Sequence, residues 1–390
     1  MRITYVAPFG LGKKTTIWAR TLPLARQMAA REHEVSIVIP PWDTPQDAGK
    51  RSQDGAVSII QVPVQGGTLA ILRRMLREVN LTTPDIVHTI KPRAYAGLVH
   101  WWMWQRRRFF DEKPSILLDA DDWEQSWSSI NDYGWAMSRF LAWQEEWGLR
   151  HADGITVASR WLERRASGYS PQTPLLYLPN GIGPSSAPLP NRPPTANDGD
   201  NILFFSRFVE VEPDWMSDFC NALFKILPAA TLVVAGDAVR PGLSDEYRLA
   251  MQEHGMAHPE RIRWLGLVDS ETLQSLYQKA SCAIFPARPT ALQSAKCSVR
   301  LATTLLAGVP VVASAVGEQS AYGAAGAAEL VNAQASPAEF ADAVAAVVAN
   351  PARRQMLSQA ARRRLLDDYA WSTLADNLEQ FYRQVHNARA

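Results

Sequence analysis

Short apolar segments recur along this chain, each about six residues long and rich in valine, isoleucine and leucine, with room for a helix between neighbours. Such runs are typical of strands that are buried on both faces, because helices cover both sides of a parallel sheet. The alternation therefore predicts an α/β protein with doubly wound sheets. The first series is ITYVAP, VSIVIPP, DIVHTI, SILLDA, GITVAS and LLYLPN; the second is NILFFS, TLVVAGD, RIRWLG, CAIFPA, VPVVAS and AELV.

The segment between the first two strands has a helical pattern. Its apolar side chains recur with a period close to 3.6 residues, which is typical of a helix that packs one face on a sheet. We expect this face to carry Trp18, Leu22, Ala25 and Ala29.

A proline-rich segment separates the two series of strands. Residues 183–201 contain five prolines, few apolar side chains and no periodicity. Such a segment buries too little surface to fold alone, which predicts an exposed linker. A chain of 390 residues suits two domains. We place the domains at residues 1–183 and 201–370, with the linker at 184–200.

Composition excludes several classes of protein. The 40 Lys and Arg residues balance 39 Asp and Glu residues, so no basic field is available to attract nucleic acid. Cys220, Cys282 and Cys297 lack metal-ligand spacing, which favours reduced thiols in the cytoplasm. The first residues lack the apolar core of a signal peptide. The charge-free run 301–317 is too short to span a membrane.

A glycine-rich loop follows the first predicted strand. Gly10, Gly12, Lys13 and Lys14 are suited to phosphate, but the spacing is not that of an ATP-binding P-loop, because the first glycine of that motif would fall at Ala7. No GxGxxG sequence follows any of the strands, which argues against a dinucleotide-binding dehydrogenase. The loop is therefore either another kind of phosphate loop or a plain turn.

Several segments, taken in order, resemble glycosyltransferase family 4. They are PLARQMAAREHEVSIVIP, HADGITVAS with LPNGI, NILFFSRF, RIRWLGLVDSETLQSLYQKASCAIFP and SVRLATTLLAGVPVVAS. The resemblance implies the GT-B fold, in which two Rossmann-like domains face each other across a cleft and a final helix, here 371–390, packs back on the first domain. It also implies sugar transfer with retention of configuration, from a nucleotide-diphosphate donor held by the second domain without a metal.

The resemblance places a donor site in the second domain. It implies that Arg207 meets the leaving diphosphate, whose growing negative charge needs fixed positive groups. Glu212 stands where the family has a lysine, and Pro213 where a glycine is usual. A carboxylate beside a diphosphate would repel it by about 1 to 4 kcal/mol. Gly236 and Gly266 follow neighbouring strands and are assigned to the same site.

A second departure concerns the donor ribose. The family's acidic residue falls at Thr303, whose hydroxyl still bonds a ribose hydroxyl, although more weakly than a carboxylate does. Upstream, Lys296, Ser298 and Arg300 match a family sub-pattern. We hypothesise that Lys13 or Lys14, together with Lys296 and Arg300, supplies the positive charge missing at position 212. The alternative is that both loop lysines are solvated.

An acidic cluster ends the strand SILLDA. Asp119 and Asp121 match the literal DxD pattern of a different glycosyltransferase fold, but GT-B enzymes do not need a metal, so we expect none here. Family members place a residue beside the transferred sugar at this point. Asp119 and Asp121 are therefore candidate catalytic residues that bind sugar or acceptor hydroxyls, and helix capping by Asp121 or Asp122 is the alternative.

The segment HWWMWQRRRFF, residues 100–110, concentrates aromatic side chains beside three arginines. This composition suits a peripheral membrane contact, and therefore a lipid-linked acceptor. The favoured alternative is a helix that packs its tryptophans on the sheet, with the arginines solvated at its C-terminal end. The sequence does not distinguish a sugar, a lipid-linked glycan and a small molecule as acceptor, and it leaves the oligomeric state open.

The leading hypothesis is a cytoplasmic glycosyltransferase of glycan or glycoconjugate biosynthesis. Two alternatives use the same fold: a degenerate protein that binds a partner without turnover, and a nucleotide-sugar epimerase. Glu212, Pro213 and Thr303 are the residues that favour the degenerate protein. Donor hydrolysis measured with and without an acceptor separates the transferase from the epimerase.

Overall fold

The structure is a computed structural model of the chain. It describes residues 1–12, 16–107, 114–131, 133–183 and 200–389, apart from the side chains of residues 128 and 129. Lys13 and Lys14, residues 184–199 of the predicted linker and the end of the segment HWWMWQRRRFF lie outside the described residues.

The chain forms two compact units. The first contains residues 1–181, 295–297 and 371–390, and the second contains residues 182–294 and 298–370. Each unit has its own sheet and its own buried apolar side chains.

The first unit is built on an eight-stranded sheet of order β3-β4-β2-β1-β5-β6-β7-β8, in which β3 alone is antiparallel to its neighbour. The apolar strands predicted from the sequence are present, and their apolar side chains are almost fully buried except in the last strand, whose side chains are partly exposed. The strands are β1 (Arg2–Val6), β2 (Glu34–Ile39), β3 (Arg51–Asp54), β4 (Val57–Gln61), β5 (Ile86–Ile90), β6 (Ser115–Ala120), β7 (Gly154–Val157) and β8 (Leu175–Tyr177). The helices before the second unit are α1 (Leu22–Ala29), α2 (Gly67–Leu81), α3 (Ala94–Arg106), α4 (Trp127–Ile130), α5 (Trp135–Arg150) and α6 (Arg160–Tyr169).

The first helical segment differs from the prediction. Residues Ile17–Thr21 form a π-helical turn before α1 begins. A π turn has about one residue more than an α turn, so it rotates the preceding side chains around the axis. Ile17 is therefore buried, and Trp18, which we predicted on the buried face, is 46% exposed. The same turn points the guanidinium of Arg20 into the interior of the unit.

The final helix, α15 (Trp371–Asn387), packs on the first unit. Its buried face places the hydroxyl of Tyr382 2.6 Å from Nδ1 of His88 and 3.1 Å from the hydroxyl of Tyr5. Burial lowers the pKa of His88 to about 4, so this imidazole is neutral at pH 7. A hydrogen-bonded polar group thus joins the last helix to β1 and β5 within the apolar core.

The aromatic residues of α3 pack only in part as the favoured interpretation of residues 100–110 predicts, since Trp104 packs against the buried core that includes strand residues such as Val6 and Val87. Trp102 is 42% exposed, and Trp135 on α5 is 77% exposed. Several rings also pack on one another, as where Trp147 stacks on His151 with 4.3 Å between ring centroids. Among the residues that the structure describes, no helix has both the length and the apolar character needed to cross a membrane.

The second unit is built on a six-stranded parallel sheet of order β11-β10-β9-β12-β13-β14. Its strands are β9 (Asn201–Phe205), β10 (Thr231–Ala235), β11 (Ile262–Gly266), β12 (Ala280–Phe285), β13 (Val311–Ser314) and β14 (Glu329–Val331). Its helices are α7 (Pro213–Ile226), α8 (Leu243–Glu253), α9 (Ser270–Lys279), α10 (Ala291–Ala295), α11 (Val299–Leu306), α12 (Glu318–Gly323), α13 (Pro337–Ala349) and α14 (Pro351–Asp368). In both units the order of the strands reverses beside the first strand, which is the switch point where doubly wound sheets bind ligands.

Candidate functional site

The loop after β9 in the second unit is organised around one carboxylate. Glu210 is 9% exposed, and its Oε2 accepts hydrogen bonds from the hydroxyl of Ser206, at 2.8 Å, and from the backbone N–H of Val209, at 3.1 Å. The backbone N–H of Arg207 also donates to this carboxylate. Glu210 therefore holds in place the loop that carries Arg207.

Arg300 reaches the same carboxylate from helix α11. Ser298 caps this helix by accepting a hydrogen bond from the N–H of Leu301. Two residues after the cap, Nη2 of Arg300 donates to Oε1 of Glu210 at 2.8 Å, and Nη1 donates to the carbonyl of Phe205 at 3.1 Å. The structure thus brings three predicted site residues, Arg207, Ser298 and Arg300, to the carboxyl edge of one sheet.

Gly236, at the carboxyl end of β10, lies directly against this loop. Its φ of +134° is unfavourable for any residue with a side chain, and a Cβ atom there would lie 1.9 Å from the carbonyl oxygen of Ser206. Its N–H donates to the carbonyl of Gly266 at 2.9 Å, so the ends of three neighbouring strands are joined. Only glycine allows so close an approach.

Glu212 is paired rather than isolated. Nε of Arg288, in the loop after β12, lies 2.9 Å from Oε2 of Glu212, and both side chains are about half exposed. Pro213 begins α7 immediately afterwards, where a proline fits because the first helical N–H has no intrahelical partner. The repulsion expected of an unpaired carboxylate at this position is therefore offset by Arg288.

Thr303 binds its own helix. Its hydroxyl donates to the carbonyl of Arg300 at 3.1 Å and lies 3.5 Å from the hydroxyl of Tyr277. Its predicted role with the donor ribose stays a prediction. The predicted joint role of Lys296 and Arg300 also stays a prediction. Lys296 belongs to the first unit, where its ammonium lies 5.5 Å from the centre of the Trp127 ring.

Asp119, at the carboxyl end of β6 in the first unit, is fully buried in an ion pair. Its two oxygens accept hydrogen bonds from Nε and Nη2 of Arg20, each at 2.6 Å, and Oδ1 also accepts one from the hydroxyl of Thr156. Burial would raise the pKa of Asp119, but the guanidinium of Arg20 holds it below its usual value. The carboxylate is therefore ionised and fully engaged, and its catalytic role stays a prediction.

Asp121 directly follows the strand and has a different environment. Its Oδ1 is 3.0 Å from Nζ of Lys91, which follows β5. Burial raises the pKa of Asp121 to about 6, against the attraction of Lys91. Capping does not explain this cluster: Asp122 accepts a hydrogen bond from the next N–H, that of Trp123, and neither aspartate caps a helix.

The described part of the glycine-rich loop packs on the protein itself. The N–H of Gly10 donates to Oδ1 of Asp43 at 2.6 Å. A Cβ atom at Gly10 would lie 2.5 Å from the hydroxyl of Thr44, and one at Gly12 would lie 2.8 Å from Asp43. These glycines are therefore needed for close packing on the loop after β2, and their predicted contact with phosphate stays a prediction.

Two family models match the chain. A glycosyl transferase 4-like domain matches residues 15–181, and a domain of the glycosyl transferases group 1 matches residues 199–350. Together they cover most of the sequence and show that the chain is a glycosyltransferase, and the 4-like domain is consistent with the predicted resemblance to family 4. It is an enzyme that uses a nucleotide-sugar donor.

Known proteins support this assignment. A glycogen synthase of Mycobacterium tuberculosis is 27% identical over 329 residues, which cover 80% of this chain and 73% of that protein. The sucrose-phosphate synthase of Thermosynechococcus elongatus superposes over 100% of both chains, with 18% identity and a TM-score of 0.74. HepE of Anabaena in complex with UDP covers 98% of this chain and 100% of its own, with 13% identity and a TM-score of 0.66. The predicted GT-B fold is confirmed.

Sequence reasoning assigned no role to several residues of these sites, although Lys91 and Arg288 were expected to be informative because they follow predicted strands. The predicted site residues are contacted by four such residues, Glu210, Arg288, Arg20 and Lys91. Their position in the sequence, after a strand or in a nearby turn, was the only feature that could have indicated them. Lys91 was the easiest of them to predict as a site residue, since it directly follows a buried strand at the edge of the sheet where ligands bind. Apart from the local partners of Glu210, the predicted site residues that these four side chains contact lie at least 30 positions away in the sequence.

Proposed function

We propose that this enzyme transfers a sugar with retention of configuration from a nucleotide-diphosphate donor bound at the carboxyl edge of the second sheet, with Arg207 and Arg300 at the diphosphate. The observation that carries the proposal is the Glu210 carboxylate, which binds the backbone of Arg207 and the guanidinium of Arg300 at once. One side chain thereby brings two arginines to the switch point of the sheet.

The charges of this region suit a leaving diphosphate. Glu210 and Arg300 form a pair, as do Glu212 and Arg288, and together with Arg207 these five residues carry a formal net charge of +1. Fixed positive groups and oriented amides stabilise the negative charge that develops on the leaving group. The proposal therefore needs no metal ion.

The acceptor is assigned to the first unit, where Asp121 contacts hydroxyl groups of the sugar or of the acceptor. The exposed rings of Trp135, Phe140 and Trp143 on α5 suit an acceptor with apolar faces, because aromatic rings stack on such faces and also suit the headgroup region of a membrane. We propose a sugar or a lipid-linked glycan as acceptor, used at the cytoplasmic face of a membrane.

Replacing Arg207 by alanine should weaken binding of the nucleoside diphosphate by about 10- to 150-fold, because a hydrogen bond to a charged group contributes about 1.5 to 3 kcal/mol. Titration calorimetry with UDP, ADP, GDP and dTDP measures this loss. The matched control is Arg353→Ala. Arg353 pairs with Glu329 at the amino end of β14, the opposite edge of the same sheet, so this variant should bind as the wild type does.

Equal loss in the two variants would mean that the second unit has merely been destabilised. Unchanged binding in Arg207→Ala would contradict the assignment of the diphosphate site. Binding of none of the four nucleotides to the wild type would favour a protein that has lost its donor.

A further inference from the structure

The loop after β5 is held in an uncommon backbone conformation. Lys91 has a φ of +62° and Ala94 has a φ of +49°, although neither is a glycine. Residues with side chains enter this left-handed region at a cost of about 1 to 3 kcal/mol and persist there only when surrounding contacts hold them, often at functional sites. The N–H of Lys91 donates to the carbonyl of Asp119, which ties the loop to the end of β6.

The Lys91 ammonium lies between two carboxylates. It is 3.0 Å from Oδ1 of Asp121 and 2.8 Å from Oε1 of Glu124, and the Lys91 side chain is only 9% exposed. Glu124 has a second cationic partner, since Nη1 of Arg93 donates to its Oε2 at 2.6 Å. Asp121 has no such second partner within salt-bridge distance in the described part of the chain. Lys91 is therefore the cation on which the charge of Asp121 depends.

Other charged groups also act on Asp121. Asp119, in the strand that leads to it, and Glu124, in the turn after it, repel its negative charge. Arg20, from the π turn, attracts that charge but is already bound to Asp119 through both oxygens. Asp122 lies next in the chain, and Lys296 acts on Asp122. Without Lys91, the remaining direct neighbours of Asp121 are predominantly negative.

We infer that Lys91 is a positioning residue for the transfer reaction, which keeps Asp121 ionised and oriented toward the carboxyl edge of the first sheet. The inference rests on the proposed function for the role of Asp121, and it adds a residue that the family resemblance does not supply. An ionised carboxylate at this place accepts hydrogen bonds from sugar hydroxyls and stabilises the positive charge that glycosyl transfer develops on the ring.

The experiment compares Lys91→Asn with Lys91→Arg. Asparagine removes the charge and tolerates a positive φ, so the backbone is not newly strained, while arginine retains the charge. The first readout is the acid limb of the pH profile of kcat for nucleotide release from the donor. In Lys91→Asn this limb should move upward by about 1 to 3 pH units, because loss of a nearby opposite charge raises the pKa of a carboxyl by that amount. In Lys91→Arg it should stay in place.

The second readout needs no donor. The infrared band of the protonated Asp121 carboxyl, assigned by its absence in Asp121→Asn, should appear at higher pH in Lys91→Asn than in the wild type. The control is Arg107→Gln, which breaks a similarly buried pair with Asp153 just before β7. This variant should shift neither the acid limb of kcat nor the midpoint of the infrared titration.

Unshifted midpoints in Lys91→Asn would overturn the inference, as would a shift of the infrared midpoint without a shift of the acid limb. Failure of every donor to bind the wild type would instead contradict the proposed function, and the infrared titration would still decide whether Lys91 controls the charge of Asp121.

Discussion

Replacing Arg20 by methionine should lower the free energy of unfolding by about 3 to 5 kcal/mol, which is among the largest effects expected of any single substitution in the chain. Arg20 and Asp119 are 1% and 0% exposed, and two hydrogen bonds of 2.6 Å join them. Removing the guanidinium leaves an ionised carboxylate buried without its cation. It also removes the donor to Asn180 Oδ1 at 3.2 Å.

Urea unfolding monitored by tryptophan fluorescence measures this effect. The control is Arg26→Met, which breaks an exposed pair with Asp54 and should cost less than about 1 kcal/mol. The double variant Arg20→Met with Asp119→Leu should recover much of the loss, because both buried charges are then absent. A loss in Arg20→Met no larger than in Arg26→Met would show that the buried pair is not what stabilises the first unit.

Replacing Gly236 by alanine should cost about 2 to 6 kcal/mol of stability, since the new Cβ atom meets backbone at 1.9 Å and the residue also keeps an unfavourable φ. The backbone that must move is that of Ser206, which precedes Arg207. We therefore expect the variant to lose at least tenfold in affinity for the nucleoside diphosphate.

Gly255→Ala is the matched control. Gly255 has a φ of +88°, but nothing lies within 4 Å of a Cβ atom there, so this variant experiences the backbone strain without the collision. Differential scanning calorimetry and titration with the nucleotide should separate the two substitutions clearly. Similar stability and similar affinity in both variants would mean that close packing at Gly236 does not position the donor loop.

The alternation of buried strands with helices could be predicted from the sequence because both faces of each sheet are covered, which makes the strands continuously apolar. The hairpin of β3 and β4 was missed. Its strand β3, RSQD, lies at the sheet edge, is largely exposed and carries no apolar run. The π turn was missed because a single extra residue per turn leaves the local composition unchanged, and this misplaced Trp18.

The sequence predicted the kind of site and its arginines, but not the contacts that hold the site together. Arg207 and Arg300 follow from motifs that are local in the sequence, and the structure brings them together through Glu210. The pairing of Glu212 with Arg288 depends on a loop 76 positions away, so no local pattern indicates it. Likewise, Asp119 and Asp121 are alike in sequence, and only the partners that the fold supplies, Arg20 and Lys91, distinguish them.

Use of a nucleotide sugar through the arginines of the second unit is tested most directly by NMR, with phosphorus spectra for nucleotide release and proton spectra for the anomeric configuration of the product. The wild type and Arg207→Ala are incubated with UDP-, ADP-, GDP- and dTDP-sugars and candidate acceptors. We predict release of one nucleoside diphosphate by the wild type, strongly reduced in the variant, and a product whose anomeric configuration is that of the donor. Donors left intact throughout, or equal release by the variant, would contradict the proposed role of these arginines.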